Sequence, residues 1–492
     1  MGRTDPPAKC LWESRSQPGG LERPRPDPSG AISICREYRT ALRGHPRDGR
    51  LVTVFRVRES RSERCEEAQN SFDVIRMDMD AIAEVLCHLK TMRVYLRSTD
   101  TSAEEMARTM EVEWREETGT LTCTTVAGQV VLPTTLHLER DSTVVVARTD
   151  HVEVRIKVLG GEAGAGTPIF KQRDALPCDG AVLAEVKWLQ ERVGESEQKD
   201  AGTSLHCGQC GNVLLDRIKG SRVLPSPYWK EVAELWFCNC GKKADQNFAA
   251  LEALEESIVL EEDVLMIGET VCVLSTDSLD AERVEMASPN SSHIQREEGE
   301  TKLWSGIKCK ACQSHLGHLG PTDGDASDAG AEKKFSATLF KHKISTSTRK
   351  HTCPLFRAHQ QQGSLAADLF TTSRARGSYR FLMKPIVGSE ADYCLQLVLL
   401  NWDLLAWMKG RDRFCRTLKV MYKRVGTDQS GTAEQWANDH EAEHIYALED
   451  ELEETLLHLK STTARLPPSC QSFSGFQVGF LFANMPSALD HN

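Results

Sequence analysis

Four cysteines in two short motifs carry the plainest chemistry of this chain: Cys207 and Cys210 in Cys207-Gly-Gln-Cys210-Gly211, and Cys309 and Cys312 in Cys309-Lys-Ala-Cys312. Two thiolates at that spacing on a tight turn span one edge of a tetrahedral ion while backbone N–H groups bond the sulfurs, and Gly211 eases the turn. One such pair is a weak signal. Two pairs supply the four soft donors that zinc takes up with no open position. The long insertion between them is little objection, because loop-closure entropy grows only logarithmically with length. The expectation is one structural zinc on Cys207, Cys210, Cys309 and Cys312, with metal-binding energy acting as folding energy. Two other groupings answer to the same chemistry: Cys207 and Cys210 with Cys238 and Cys240, or His206, His315 or His318 in place of one sulfur. Inert thiols in a core are the poorest reading, since Gly, Lys and Gln are poor core neighbours.

The stretch Trp236-Phe237-Cys238-Asn239-Cys240 offers a second kind of chemistry. Its two aromatics could anchor an interface, and a free thiolate at Cys238 is a soft ligand for a metal carried by a partner. Composition alone favours a buried aromatic cluster with an inert cysteine there. For nucleophilic catalysis the candidates are Cys353, in His351-Thr-Cys353-Pro, and Cys394, Cys415 and Cys470, yet no motif fixes a base beside any of these sulfurs. No Gly-rich phosphate loop, Gly-x-Ser-x-Gly elbow or His-Glu-x-x-His occurs, so no catalytic residue is assigned.

These residues need elements to hold them, and 492 residues exceed one ordinary core. The expected fold class is α+β: a β-rich N-terminal domain, a zinc-binding middle segment and a mixed α/β C-terminal domain. Residues 1–70 read as a disordered Arg- and Pro-rich lead-in, since residues 1–50 hold 7 of the 19 prolines and 9 arginines with few aliphatics. Residues 71–158 form the β-rich domain. Val152–Val158 alternates strictly, and Thr120–Thr125, Gln129–Leu132 and Thr143–Val146 read as further short strands. In the same domain Ile82, Leu86 and Leu89 recur at helical spacing. A Gly-rich linker, Gly160–Gly166, leads to the zinc-binding segment, 167–334, which also holds the Trp236 to Cys238 stretch. There Val182–Val193 fits a short amphipathic helix, Leu251–Asp263 an acidic one, and Val264–Leu274 two strands about Gly268. In 335–492, Arg380–Met383, Cys394–Leu400, Leu418–Tyr422 and Gly475–Phe482 read as strands, the second apolar almost throughout and therefore central in a sheet. A capping box at Thr432 and Gln435 opens a helix carrying Ile445, Leu448, Leu452, Leu456 and Leu459.

Seventeen cysteines without an export signal argue for reduced thiols and metal ligation over a disulfide framework. No apolar run reaches the ~18 residues of a membrane span, so the expectation is a soluble, intracellular protein with no membrane partner. A net charge of −11 argues against direct nucleic-acid binding over a broad surface. The basic group Lys341, Lys343, Arg349 and Lys350 reads as a solvated face.

The ordered set CGQCG, DRIKGSRVLPSPYW, ELWFC, Gly268-Glu269, CKACQSHLG and SGFQVGFL, spanning about Thr120 to Leu481, resembles the HECT-like ubiquitin-conjugating-enzyme-binding family. The resemblance implies a HECT-like C-terminal domain that binds a ubiquitin-conjugating enzyme, accepts ubiquitin and passes it to substrate lysines. It also implies a link to messenger-RNA 3′-end processing, through the endonuclease subunit of the cleavage and polyadenylation specificity factor, and hence a cytoplasmic and nuclear location. In that role Trp236, Phe237 and Cys238 would meet the nuclease, the Cys238 thiolate capping its metals and excluding the water they activate. Where the family has a His after this cysteine, the chain has Asn239. The surroundings of a HECT catalytic cysteine are not found, so the rival from another class is a non-enzymatic inhibitor, chaperone or adaptor.

Overall fold

Val, Ile and Thr at alternate positions build the first part of the fold. The computed structural model describes residues 52–54, 79–159 apart from 116, 134 and 135, 177–194, 203–225, 260–286, 293–295, 301–303, 305–321, 335–347, 355–356, 359–385, 392–426 and 430–483, all within the unit Gly44–Asn492. The strands are β1 (Val52–Val54), β2 (Asp80–Leu86), β3 (Thr91–Arg97), β4 (Glu111–Arg115), β5 (Thr120–Thr125), β6 (Gly128–Pro133), β7 (Leu138–Ala147) and β8 (Val152–Val158), with helix α1 (Ala103–Arg108) after β3. β1, β7, β8, β3 and β2 lie side by side in that order, and β4, β5 and β6 make a separate sheet. Ala83, Val85, Val94 and Ile156 of the first sheet share one core with Leu121, Cys123 and Leu132 of the second. β8 keeps its expected alternation, with Val152, Val154, Ile156 and Val158 in that core. Val52–Val54, inside the span expected as lead-in, pairs with β7.

The helical reading of Ile82, Leu86 and Leu89 is overturned. Ile82 and Leu86 lie on one face of β2, because residues four apart also satisfy a period of two. Leu89 closes a 3-10 turn, Cys87–Leu89, and is 65% exposed.

Helix α2 (Pro177–Gly194) opens the middle part. It is followed by β9 (Thr203–Cys207), β10 (Val213–Ile218), β11 (Gly220–Val223), β12 (Val264–Ile267), β13 (Val271–Ser275), β14 (Val284–Met286), β15 (His293–Gln295), β16 (Thr301–Leu303), β17 (Ser305–Cys309), β18 (His315–Pro321), β19 (Phe335–Phe340) and β20 (Ile344–Ser347). β10, β9 and β20 form one sheet; β11, β12, β13, β19, β18, β17 and β14 form another in that order, and β15 pairs with β16. Both larger sheets share a core with Val182, Val186 and Leu189 of α2. Ser221 Oγ donates to Val186 O (3.1 Å) and Gln190 Nε2 to Ser221 O (3.0 Å), fixing α2 against β11. A buried ion pair, Lys341 Nζ to Glu185 Oε2 at 2.5 Å, ties α2 to the 3-10 turn Lys341–Lys343 between β19 and β20. The helix expected over Val182–Val193 lies in α2, and the strands expected about Gly268 are β12 and β13. The helix expected over Leu251–Asp263 falls largely outside the described residues.

The last part comprises α3 (Gln361–Arg376), β21 (Arg380–Pro385), β22 (Tyr393–Met408), β23 (Cys415–Gly426), α4 (Ser430–Asp439), β24 (Glu443–Ala447), α5 (Glu449–Thr463), β25 (Ser472–Phe473) and β26 (Phe476–Phe482). β22 runs to 16 residues and pairs with three neighbours. Residues 395–398 pair with β21, the register against β23 shifts around Asn401, and residues 404–408 pair with β2. One sheet therefore continues from β1, β7, β8, β3 and β2 through β22 to β23, β26 and β25, with β21 joined to β22 and β24 joined to β21. Leu365 and Leu369 of α3 and Leu452, Leu456 and Leu459 of α5 cover one face, over Leu395, Leu397, Val420 and Leu481. Ala433 and Ala437 of α4 cover Leu382, Cys394 and Val425 on the other.

The four strands expected in this part fall in β21, β22, β23 and β26. The single helix expected from Thr432 to Leu459 is corrected. α4 stops at Asp439, Glu441 takes a left-handed φ of 50°, and Ile445 lies in β24, parallel to β21. α5 then starts afresh, with Glu451 Oε2 accepting the Leu448 N–H at 3.2 Å. The described fold is thus β-rich with few helices, a mixed α/β arrangement. Among the described residues no helix is long and apolar enough to cross a membrane.

Candidate metal centre

The β9–β10 and β17–β18 pairs are antiparallel hairpins, and each turns on one Cys-x-x-Cys motif. In the first, the Gly211 N–H donates to Cys207 O (2.9 Å) and the Cys207 N–H to Asn212 O (2.8 Å). In the second, the Gln313 N–H donates to Cys309 O (2.8 Å) and the Cys309 N–H to Ser314 O (3.0 Å). Gly211 (φ 74°) and Gln313 (φ 60°) take the same left-handed conformation just after the second cysteine. Two unrelated stretches thus repeat one backbone turn, at no cost for Gly211 and against a side-chain penalty for Gln313. The first turn also rests on its neighbour. Gly208 N–H donates to Lys343 O (2.8 Å), and a Cβ at Gly208 would stand 3.0 Å from that oxygen.

The hairpins face each other so that the four sulfurs lie within 4.8 Å of one another. The closest approaches are between hairpins, Cys210 to Cys309 at 3.6 Å and Cys207 to Cys312 at 3.7 Å. Cys207 and Cys309 are buried, Cys312 half-buried and Cys210 exposed. Backbone N–H groups of Gln209 and Cys210 bond the Cys207 sulfur, and those of Ala311 and Cys312 bond the Cys309 sulfur. Burial raises the Cys207 thiol above its usual range. At Cys309 burial works in the same direction, but the N–H donors of Cys312, Asn212 and Ala311 outweigh it and bring the thiol down to about 7. Four soft donors at this spacing, with the Cys207 and Cys309 sulfurs already bonded by backbone N–H groups, could hold a metal ion such as zinc.

The grouping expected from spacing is therefore the one the fold brings together. His206 is engaged elsewhere, its Nδ1 against Gly211 O (3.0 Å) and its Nε2 between the Ser204 and Ser347 hydroxyls (2.7 Å each). His315 and His318 lie on β18 outside the four-sulfur group. Trp236, Phe237, Cys238 and Cys240 lie outside the described residues. Sequence reading missed Asn212, whose Nδ2 reaches Cys309 Sγ at 3.5 Å, and Ser314, whose Oγ is 3.9 Å from Cys207 Sγ. The signal was their shared place, each two residues beyond a second cysteine.

The candidate nucleophiles are scattered. Cys394 is buried and its thiol is pushed up to about 11 by that burial, while its S–H points at Val425 O (3.6 Å). Cys415 is buried, with Arg411 Nη1 at 3.6 Å. Cys470 is half-buried beside the Ser469 hydroxyl (3.9 Å), and burial raises its thiol too. Cys353 lies outside the described residues. Cys470 is more accessible than Cys394 and Cys415, and burial raises the thiols of Cys394 and Cys470 away from the nucleophilic thiolate.

Comparison with known proteins adds a second kind of finding. Residues 84–478 match a family model described as HECT-like ubiquitin-conjugating enzyme (E2)-binding. An E3 ubiquitin-protein ligase of type D from Bos taurus is 23% identical over 314 residues, covering 58% of this chain and 74% of the relative. Its counterparts from Pongo abelii and Homo sapiens are each 22% identical over 314 residues, with the same coverage.

Proposed function

The chain belongs to the HECT-like ubiquitin-conjugating-enzyme (E2)-binding family, and from that premise we propose that it binds a charged E2 and takes part in passing ubiquitin to protein substrates. The observation that carries the reading is the family match, which runs through all three parts of the fold, from β2 to β26. The similar E3 ubiquitin-protein ligases support the finer step, ligase activity. In this reading the four cysteines hold one structural zinc. Four sulfurs leave no open position for a reacting molecule, so the ion contributes by fastening the β9–β10 hairpin to β17–β18, not by chemistry on ubiquitin.

The test has two stages. Immobilised full-length chain is challenged with a panel of E2 enzymes; saturable capture of at least one is expected, and no capture of any would end the proposal. The captured E2, charged with ubiquitin, is then mixed with the chain and separated with and without reductant. A reducible ubiquitin adduct that is lost in Cys470→Ser or Cys353→Ser supports covalent transfer. Discharge with no adduct places the chain among scaffolding ligases.

A second reading is favoured by the burial of Cys394 and Cys415 and by the raised thiols of Cys394 and Cys470. The chain then acts without catalysis, as an inhibitor or chaperone of the 3′-end-processing endonuclease, with Cys238 at the nuclease metals. Under it, Cys238→Ser loses capture of that nuclease while keeping zinc and melting temperature. Equal capture by wild type and variant would remove it.

A further inference from the structure

Asn212 and Ser314 occupy equivalent places after their cysteine turns, and each reaches across to the opposite turn. Asn212 Nδ2 bonds Cys309 Sγ at 3.5 Å, and Ser314 Oγ stands 3.9 Å from Cys207 Sγ. Both contacts run in the same sense, from the residue that closes one turn to the first cysteine of the other. The two sulfurs addressed are the buried ones.

We propose that Asn212 and Ser314 are positioning residues for the metal: they hold the two hairpins at the spacing four sulfurs need, and they determine how long a thiophilic divalent ion is retained. This rests on the zinc reading of the four cysteines. The physical reason is charge. Four thiolates around one dication carry a surplus of two negative charges, and donors to sulfur disperse it. Exposed Cys210 can take such donors from water, whereas Cys207 and Cys309 must find them in the protein. Each first receives backbone N–H groups from its own turn. Asn212 and Ser314 add a donor from the opposite turn, so neither hairpin completes its sulfur environment alone.

Asn212 is the better fixed of the two. Its Nδ2 also donates to Arg283 O (3.4 Å), and the Arg283 guanidinium is held by Asp216 and Asp280 at 2.8 Å each. The carboxamide is thus oriented by the chain leading into β14. Outer partners of metal ligands change affinity by about 10–100-fold on removal, and the shorter, doubly bonded Asn212 should stand at the upper end of that range.

The experiment uses zinc-loaded full-length chain and follows zinc transfer to an excess of a chromophoric chelator. It compares wild type with Asn212→Leu, Asn212→Asp, Ser314→Ala and Ser314→Thr, and repeats the series with cobalt(II) to read the sulfur-to-metal charge-transfer band. Release faster by about 100-fold is expected for Asn212→Leu, faster still for Asn212→Asp, whose charge adds to the surplus, and a smaller change, about tenfold, for Ser314→Ala. Ser314→Thr keeps the hydroxyl and should release zinc as wild type does. The cobalt band should move to lower energy wherever a donor is lost, while chelator-stripped variants melt with stripped wild type. Unchanged release and band in both Asn212 variants would overturn the proposal, as would equal destabilisation of stripped and loaded forms with an unmoved band. Wild type that carries no zinc and takes up no cobalt would overturn the zinc reading itself, and this proposal with it.

Discussion

Replacing Lys341 by Met should destabilise the chain far more than replacing Lys341 and Glu185 together. Lys341 is 1% and Glu185 4% exposed, and their charges meet at 2.5 Å beneath α2. Removing the ammonium leaves a carboxylate in the core with His359 Nε2 at 2.8 Å as a partner. Breaking a buried ion pair from one side costs about 3–5 kcal/mol, and the remaining His359 contact offsets part of this, so Lys341→Met should lie at the low end, about 3 kcal/mol. Glu185→Leu strands the ammonium instead and belongs near the upper end, about 5 kcal/mol. The double variant Lys341→Met with Glu185→Leu buries only apolar groups, and its cost should fall within about 1–2 kcal/mol of wild type. Urea unfolding of the four proteins, followed by Trp fluorescence, gives the cycle. A double variant whose loss equals the sum of the single losses would refute the coupling and with it the role of the pair in fixing α2.

The other expectations are simpler. Gly317→Ala should lower the melting temperature by about 6 °C or more, because its Cβ would stand 1.9 Å from Thr338 O and 2.8 Å from Leu339 Cα, backbone atoms of β19 that cannot step aside. Gly306→Ala on the neighbouring strand should be tolerated, since its Cβ meets only the His315 ring at 3.4 Å; equal melting of the two variants would contradict this. Glu153 is buried between Arg155 and Arg148 (2.7 and 2.9 Å); burial alone would raise its carboxyl, but the two guanidinium groups hold it at about 2 against an ordinary 4.5. A lowered carboxyl stabilises the fold fully above its unfolded value and loses that contribution as pH falls toward the folded one. The urea midpoints of wild type and Glu153→Gln should therefore differ at neutral pH and converge as pH falls through about 4 toward 2, and a gap that is constant with pH would count against the pairing.

What the sequence made legible follows from the range of the interactions concerned. Cys207 with Cys210 and Cys309 with Cys312 are local pairs whose spacing carries chemistry by itself, and the alternation in Val152–Val158 states its own buried face. Ile82 and Leu86 misled because a four-residue interval fits a strand face as well as a helix face, and only pairing with β3 and β22 decides between them. The run from Thr432 to Leu459 misled in the opposite way. The apolar spacing continues, but the left-handed Glu441 and the β-forming His444-Ile445-Tyr446 place a parallel strand inside it. The joining of the first and last parts by β2 and β22 was beyond local reading, since register between strands some three hundred residues apart leaves no mark on either one. Asn212 and Ser314 could have been found by laying CGQCGN over CKACQS, where each closes the same turn.

Metal content of the purified chain, measured with thiol reactivity, tests the four-sulfur centre most directly. One zinc per chain is expected, with Cys207, Cys210, Cys309 and Cys312 protected from alkylation until a chelator removes the ion, and Cys309→Ser should lose zinc and melting temperature together. A chain with no zinc, or one that keeps its zinc in both Cys207→Ser and Cys309→Ser, would contradict a closed centre on these four cysteines.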